Sequence, residues 1–448
     1  MKKSFSVNQG ARKNKKFLWI GVPLIVLAIG IGIYFFAWLP RQSFQEVPYA
    51  LNFIAFDEVM NEAAEGSVLD MDKMLARTRA LLIDGGGRAP MVTSGYLLPG
   101  ALLRMTPLYA PHAEALDQIS LLRVYIRLED RKAADALSDY IYENYLHESG
   151  LLCGRISEGE VSVDDLAEPE ARLLMTRNTE GPSLQATTAY VRALLEYQAV
   201  WGKTDDWSKV VRFVDAIYDE ATGFYCDVEY ITSAQNPELY IAFFNPNDFS
   251  KMEKDEQSYR AFQLSALDLY AFSLLAQADS AYQEMYDSAL ALVEGGRISD
   301  TLPLYAEAYS PDNGGYVYHF GSDRSIPLLP SMYTMLHLAE VGRLAPESKA
   351  FLETQIFNVG YLYSTYDLFE GSASSSDELT SAYGLALQIA AVTGNSNLYV
   401  RTLDQMSRFV ATLNTSPGKD LIFKKVVDQR NIVFAEDNLQ AMLGLPIE

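Results

Sequence analysis

The chain has 448 residues, 49% of them hydrophobic and 12% aromatic, with a formal charge of −22. Disordered chains are poorer in apolar side chains, so packed structure is expected over most of the length. The excess of 58 Asp and Glu over 36 Lys and Arg argues against DNA, RNA or anionic lipid headgroups as partners of the main body, because like charges repel.

Residues 1–16 carry Lys2, Lys3, Arg12, Lys13, Lys15 and Lys16 and no acidic residue. Phe17 to Leu39 then runs 23 positions without a charge, above the ~20 needed for a helix to cross hydrocarbon. This pattern predicts a transmembrane anchor over 17–39, with the basic tail 1–16 inside and the remainder outside. A cleaved secretory signal is the competing reading, but its apolar stretch would be shorter, and Phe36, Trp38 and Pro40 stand where small residues are required. Six of the 36 basic residues precede the span, so the chain beyond it sets 58 acidic against 30 basic side chains, a formal −28. The linker 40–50 is short. About ten residues at ~3.3–3.6 Å each hold residues 51–448 within roughly 35 Å of the bilayer.

From residue 51 onward, apolar residues recur at three- and four-residue spacing. Helical segments are expected near 54–65 and 71–82. Five helix pairs come next: Leu116–Leu128 with Lys132–Leu146, Ala186–Trp201 with Trp207–Ile217, Tyr259–Gln277 with Ala281–Val293, Met332–Val341 with a helix opened by Pro346, and Ala382–Thr393 with Leu398–Leu413. Gly202, Gly342 and Gly394 are placed as stops, because the residue after a helix often takes a left-handed conformation. In each pair a greasier helix precedes a more amphipathic one, the signature of an enclosed helix followed by an outer one. Repeated about six times, that alternation describes a toroid of helix pairs, an all-α (α/α)6 barrel, and no biased linker divides 51–448. The unevenness of the repeat disfavours an open solenoid.

Cys153 and Cys226 each follow a helix and a Ser/Thr-Gly stop, which makes them a possible disulfide outside the membrane; two buried free thiols is the other reading. The four histidines are scattered, so no metal cluster and no cofactor is predicted. In a toroid the N-terminal ends of the inner helices crowd one face, where free N–H groups favour anionic and hydroxyl-bearing ligands. The candidates there are Asp117, Gln118, residues 180–185, residues 255–259, Pro330, Ser331, Asp377 and Glu378. The insert from Ile231 to Lys254, with two Asn-Pro steps, is the longest irregular stretch and is expected to border a groove.

The run Pro330 to Gly342 (PSMYTMLHLAEVG), Ser364-Thr365-Tyr366-Asp367, Glu378 and Tyr383-Gly384-Leu385-Ala386 resembles the family 8 glycoside hydrolase-like proteins of bacterial exopolysaccharide systems. Asp117-Gln118 to Asp130-Arg131 and Ala193-Leu194-Leu195 to Trp201-Gly202 fit the first and second helix pairs, so the resemblance covers roughly 80–415. It implies an (α/α)6 toroid and inverting hydrolysis of β-linked glucans, xylans or related polymers. Inversion needs a carboxylic acid and a carboxylate ~6.5–9.5 Å apart. The resemblance places the family's acid at Leu116, its substrate-contacting aspartate at Gln185 and its base near Pro330, none of which exchanges a proton. Asp117 with a one-residue shift, Glu180 in Thr179-Glu180-Gly181, and Glu378 are the substitute carboxylates, against ordinary helix-start capping. Gln118, Gln185, Tyr259, Tyr366 and Asp377 are candidate glycan contacts, since sugar C–H faces pack on rings and hydroxyls pair with amides and carboxylates.

Three functions are compatible with these features. The first is a membrane-anchored, extracytoplasmic glycan-binding toroid acting in exopolysaccharide assembly or export with weak or no hydrolase activity. The second is an active inverting endo-glycosidase, and the third a structural partner of a polysaccharide synthase or export complex.

Overall fold

The computed structural model describes residues 47–51, 56–83, 90–98, 108–110, 112–157, 181–202, 207–231, 258–312, 314–318, 325–425 and 431–447. The expected anchor 17–39, the tail before it, residues 40–46 of the linker, Glu180 and nearly all of the 231–254 insert lie outside this set. Among the described residues no helix is long and apolar enough to cross a membrane.

Thirteen α-helices are described: α1 (Glu58–Glu65), α2 (Met71–Thr78), α3 (Ala115–Arg127), α4 (Arg131–Tyr145), α5 (Leu184–Trp201), α6 (Trp207–Ile217), α7 (Leu269–Ala278), α8 (Gln283–Gly295), α9 (Leu328–Glu340), α10 (Pro346–Thr354), α11 (Thr380–Val392), α12 (Ser396–Ser407) and α13 (Ala435–Gly444). Local chemistry sets their ends. Ser183 accepts from Ala186 N–H at 3.1 Å to start α5, Asp268 from Ala271 N–H at 3.0 Å to start α7, and Asn395 from Leu398 N–H at 3.2 Å to start α12. Gly202, Gly342 and Gly394, the expected stops, have φ of 88°, 69° and 63°, a region that burdens a residue bearing Cβ.

Burial separates the two layers. In α11 every residue from Thr380 to Ala391 is buried, whereas α6 buries only Val210, Phe213, Val214 and Ile217, one stripe at helical spacing. The enclosed helices close a ring: α3 packs on α5, α5 on α7, α7 on α9, α9 on α11, α11 on α13, and α13 back on α3. Five inner helices are each followed by their outer partner. The sixth inner helix is α13, and its outer partner α2 comes from the opposite end of the described chain.

Short strands lead directly into inner helices. His112–Glu114 enters α3, Pro182–Ser183 enters α5, Ser325–Pro327 enters α9 and Asn431–Phe434 enters α13, so small antiparallel sheets gather around the inner-helix N-termini. One expected helix is corrected here. Tyr259–Gln277 is a strand over Ser258–Gln263, a 3-10 turn over Leu264–Ala266, and then α7. Antiparallel pairing with Val228–Ile231 and the packing of Phe262 on Tyr309 opposite it, ring centroids 5.8 Å apart, override the helical spacing.

Helices α11 and α13 touch backbone to backbone. A Cβ on Gly384 would lie 2.8 Å from Ala441 N and 2.8 Å from the Gln440 carbonyl carbon. Gly384→Ala is therefore expected to destabilise the protein by at least about 1–3 kcal/mol, measured by urea unfolding, because neither backbone can yield without moving a helix.

Candidate functional site

At the inner-helix N-terminal face, Leu116 on α3, Gln185 on α5 and Tyr333 on α9 converge on the ring axis with Ser265 and Gln440 around a narrow cavity of about 40 Å³. Tyr333 donates its hydroxyl hydrogen to Glu436 at 3.0 Å, which ties α9 to the start of α13. Two of the three positions assigned by the family resemblance thus meet. The remaining position, Pro330, is the third residue of α9, in its first turn and one helical turn before Tyr333.

The other expected residues are distributed more widely. Asp117 is buried in the first turn of α3. Gln118 is fully buried and holds the backbone of Val92 from both sides, accepting from its N–H at 2.7 Å and donating to its carbonyl at 2.6 Å. Tyr366 is buried and donates to Gln355 at 3.1 Å, and burial pushes its hydroxyl up to about 12. Asp377 is exposed, with its backbone N–H given to Ser375. Glu378 accepts from the Tyr383 hydroxyl and pairs with Arg408 at 2.6 Å, toward the end of the outer helix α12. Tyr259 lies on the strand paired to Val228–Ile231. No disulfide joins Cys153 and Cys226, and burial raises Cys226 to about 11.

Two features escaped the sequence reading. Asp227 is half-buried at the N-terminus of α5, where it accepts from Leu184 N–H at 2.9 Å; its second oxygen is shielded from solvent and has no hydrogen-bond partner. Desolvation outweighs the bond to Leu184 and lifts its carboxyl to about 6.

The second is a buried ionic network in the middle of the ring. Arg192 on α5 donates to Glu340 on α9 at 2.7 and 2.5 Å and to Glu196 at 2.9 Å, stands 3.6 Å from Asp268, and lies over the Tyr270 ring at 4.7 Å. Arg123 on α3 grips Glu196 with two bonds of 2.9 and 3.0 Å. Burial alone would raise the Glu340 carboxyl; the Arg192 charge reverses this and holds it at about 2. The signal was legible in principle, since Arg192 and Glu196 are the charged residues of a helix otherwise apolar nearly all round. The network lines a larger cavity of about 760 Å³ that opens among the C-terminal ends of the inner helices, with Arg127, Tyr270 and Gln388 also on its wall.

The closed ring of six inner helices has counterparts among solved structures. A novel alpha-amylase from Clostridium perfringens aligns over 83% of this chain and 96% of its own, at 16% identity and a TM-score of 0.59. The two share the fold of a helical toroid. Also matched are the endo-beta-1,4-glucanase CMCax from Acetobacter xylinum (13% identity, 76% of this chain and 100% of that one, TM-score 0.48) and PssZ from Listeria monocytogenes (12%, 89% and 97%, 0.45). No family model and no curated protein matches the sequence. The toroid expected from the helix pairs and from the family 8 resemblance is therefore present as a fold.

Proposed function

We propose that this toroid binds a polysaccharide or oligosaccharide in exopolysaccharide assembly or export, with weak or no hydrolase activity. Residues 17–39 would hold it to a bacterial cell membrane with the toroid outside. The observation that carries the reading is the pairing of Leu116 and Gln185 at the axial cavity, where the family resemblance calls for an acid and an aspartate. An amide and a tyrosine hydroxyl can bond sugar hydroxyls, but leucine and glutamine cannot pass the proton that inversion requires. Among the described residues lining that cavity the carboxylate is Asp268, which is already committed to the cap of α7 and faces Arg192.

The test is a binding and turnover assay on the full-length chain with soluble β-linked glucans, xylans and the polymer of the producing cell. Saturable binding without reducing-end release is expected. Gln185→Ala should weaken binding roughly 5- to 10-fold, the loss of about one hydrogen bond. Failure to bind any of these polymers sinks the proposal.

Asp227 favours a second reading, the inverting endo-glycosidase. A half-buried carboxyl held at about 6 remains partly protonated near neutrality, as a general acid must. Product release that disappears in a folded Asp227→Asn variant would establish it.

A further inference from the structure

We propose that Asp268, His337 and Glu340 bind one divalent cation of the zinc class, at the partition between the axial cavity and the larger hollow. Asp268 and His337 line the first and Glu340 the second, and Arg123 and Arg192 line both. The three donor atoms lie within 4.8 Å of one another. His337 Nδ1 is 3.7 Å from Asp268 Oδ1 and 3.8 Å from Glu340 Oε2. Bonds of ~2.0–2.2 Å to a tetrahedral ion set such atoms about 3.4 Å apart, so the two His337 distances need to shorten by a few tenths of an ångström, and the two carboxylate oxygens, within 4.8 Å of each other, by up to about 1.4 Å.

The orientation of His337 is the independent observation. The ring is 7% exposed, and its Nε2 lies 3.3 Å from the Ser265 carbonyl, an acceptor, which fixes the hydrogen on that nitrogen. In the neutral imidazole Nδ1 is then a lone pair, buried without a hydrogen-bond partner and facing two carboxylates. Lone pairs directed at one another repel unless something positive stands between them. A second-ring contact that fixes the tautomer of a ligating histidine is the usual arrangement at metal sites.

The carboxylates of Asp268, Glu196 and Glu340 face the guanidiniums of Arg192 and Arg123, and Arg127 lies nearby with its N–H groups on the Met442, Leu443 and Leu445 carbonyls. Arg192 approaches Asp268 from Oδ2, while His337 faces Oδ1. The carboxylate oxygens that already accept from Arg192 and Ala271 keep a second lone pair for a metal. One nitrogen and two oxygens suit zinc better than calcium or magnesium, which prefer six or more oxygens.

The full-length chain, stripped with a chelator and dialysed, would be titrated calorimetrically with zinc chloride and separately with magnesium chloride. Uptake of one equivalent of zinc, a raised melting temperature and no response to magnesium are expected. His337→Gln removes Nδ1 but retains an amide donor for the Ser265 carbonyl, and should weaken zinc binding roughly 100-fold or more. Cobalt loaded into the unaltered protein should show the visible absorption of a tetrahedral nitrogen–oxygen site, a readout independent of how the variant folds. No zinc uptake at millimolar concentration, or undiminished uptake by a folded His337→Gln, overturns the proposal. So does a melting temperature indifferent to zinc combined with an imidazole NMR signal of protonated His337, which would put a proton where the metal is proposed. None of these outcomes depends on whether the toroid binds glycans.

Discussion

Arg192→Met is expected to lower the unfolding free energy by about 3–5 kcal/mol at pH 7, the usual cost of removing one partner from a buried ion pair. Its guanidinium is the common partner of Glu196, Glu340 and Asp268, which come from three inner helices or their starts. Methionine fills similar volume, so the loss reports charge more than packing. The pH dependence separates the two. In the unaltered protein the depressed Glu340 carboxyl contributes stability that is complete above its ordinary value of 4.5 and is lost as pH falls toward about 2. In the variant, burial remains without its compensation, so the Glu340 carboxyl rises above 4.5 and acidification relieves the penalty. The gap between the two proteins should therefore narrow from pH 7 to pH 4. Urea unfolding at several pH values measures this, and a constant gap would assign the loss to packing.

Asp227→Asn should act in the opposite direction. The carboxyl sits at about 6 in the folded chain against 3.8 as its ordinary value, so folding favours its protonated form. Stability from this group is fully present below pH 3.8 and is lost as pH rises through 6. At pH 8 the penalty is about 3 kcal/mol at ~1.36 kcal/mol per pH unit. Asparagine carries no charge and keeps an oxygen for Leu184 N–H, but its amide hydrogens must find acceptors, which returns about 1 kcal/mol. A net gain of roughly 2 kcal/mol at pH 8 is expected, with no gain at pH 3. Destabilisation at pH 8 would show that the ionised carboxylate is needed in place, as a base or ligand contact requires.

The layered fold was legible because inner and outer helices differ in apolar pattern and because Gly202, Gly342 and Gly394 mark the turns between them. The sixth inner helix was not. Residues 435–444 carry Glu436, Asp437, Asn438 and Gln440, a polar opening that reads as surface. In the ring these groups are satisfied internally: Asn438 holds the Ile422 backbone at 2.8 and 3.1 Å, and Gln440 donates to Ser120 at 3.2 Å. The same limit hid the ionic network. Arg192, Asp268 and Glu340 are far apart in sequence, and only ring closure makes them neighbours. Conversely, Gln118 and Tyr366 occupy promising positions in sequence, but their polar atoms are spent on backbone and on Gln355. Glu378 has the neighbours of an ion pair at the periphery.

The closure between α13 and α3 also bears on how the protein is made. Until residues 435–444 have left the ribosome, α3 and α11 lack the neighbour that stands between them, and a broad apolar seam faces solvent. Closing a ring through contacts between distant parts of a chain is slow, because a large loop must be fixed before the contacts repay it. A polypeptide interrupted before residue 435 would hold five finished hairpins around an open cleft, a surface that chaperones and proteases recognise. Only a chain translated through residues 435–444 hides the seam.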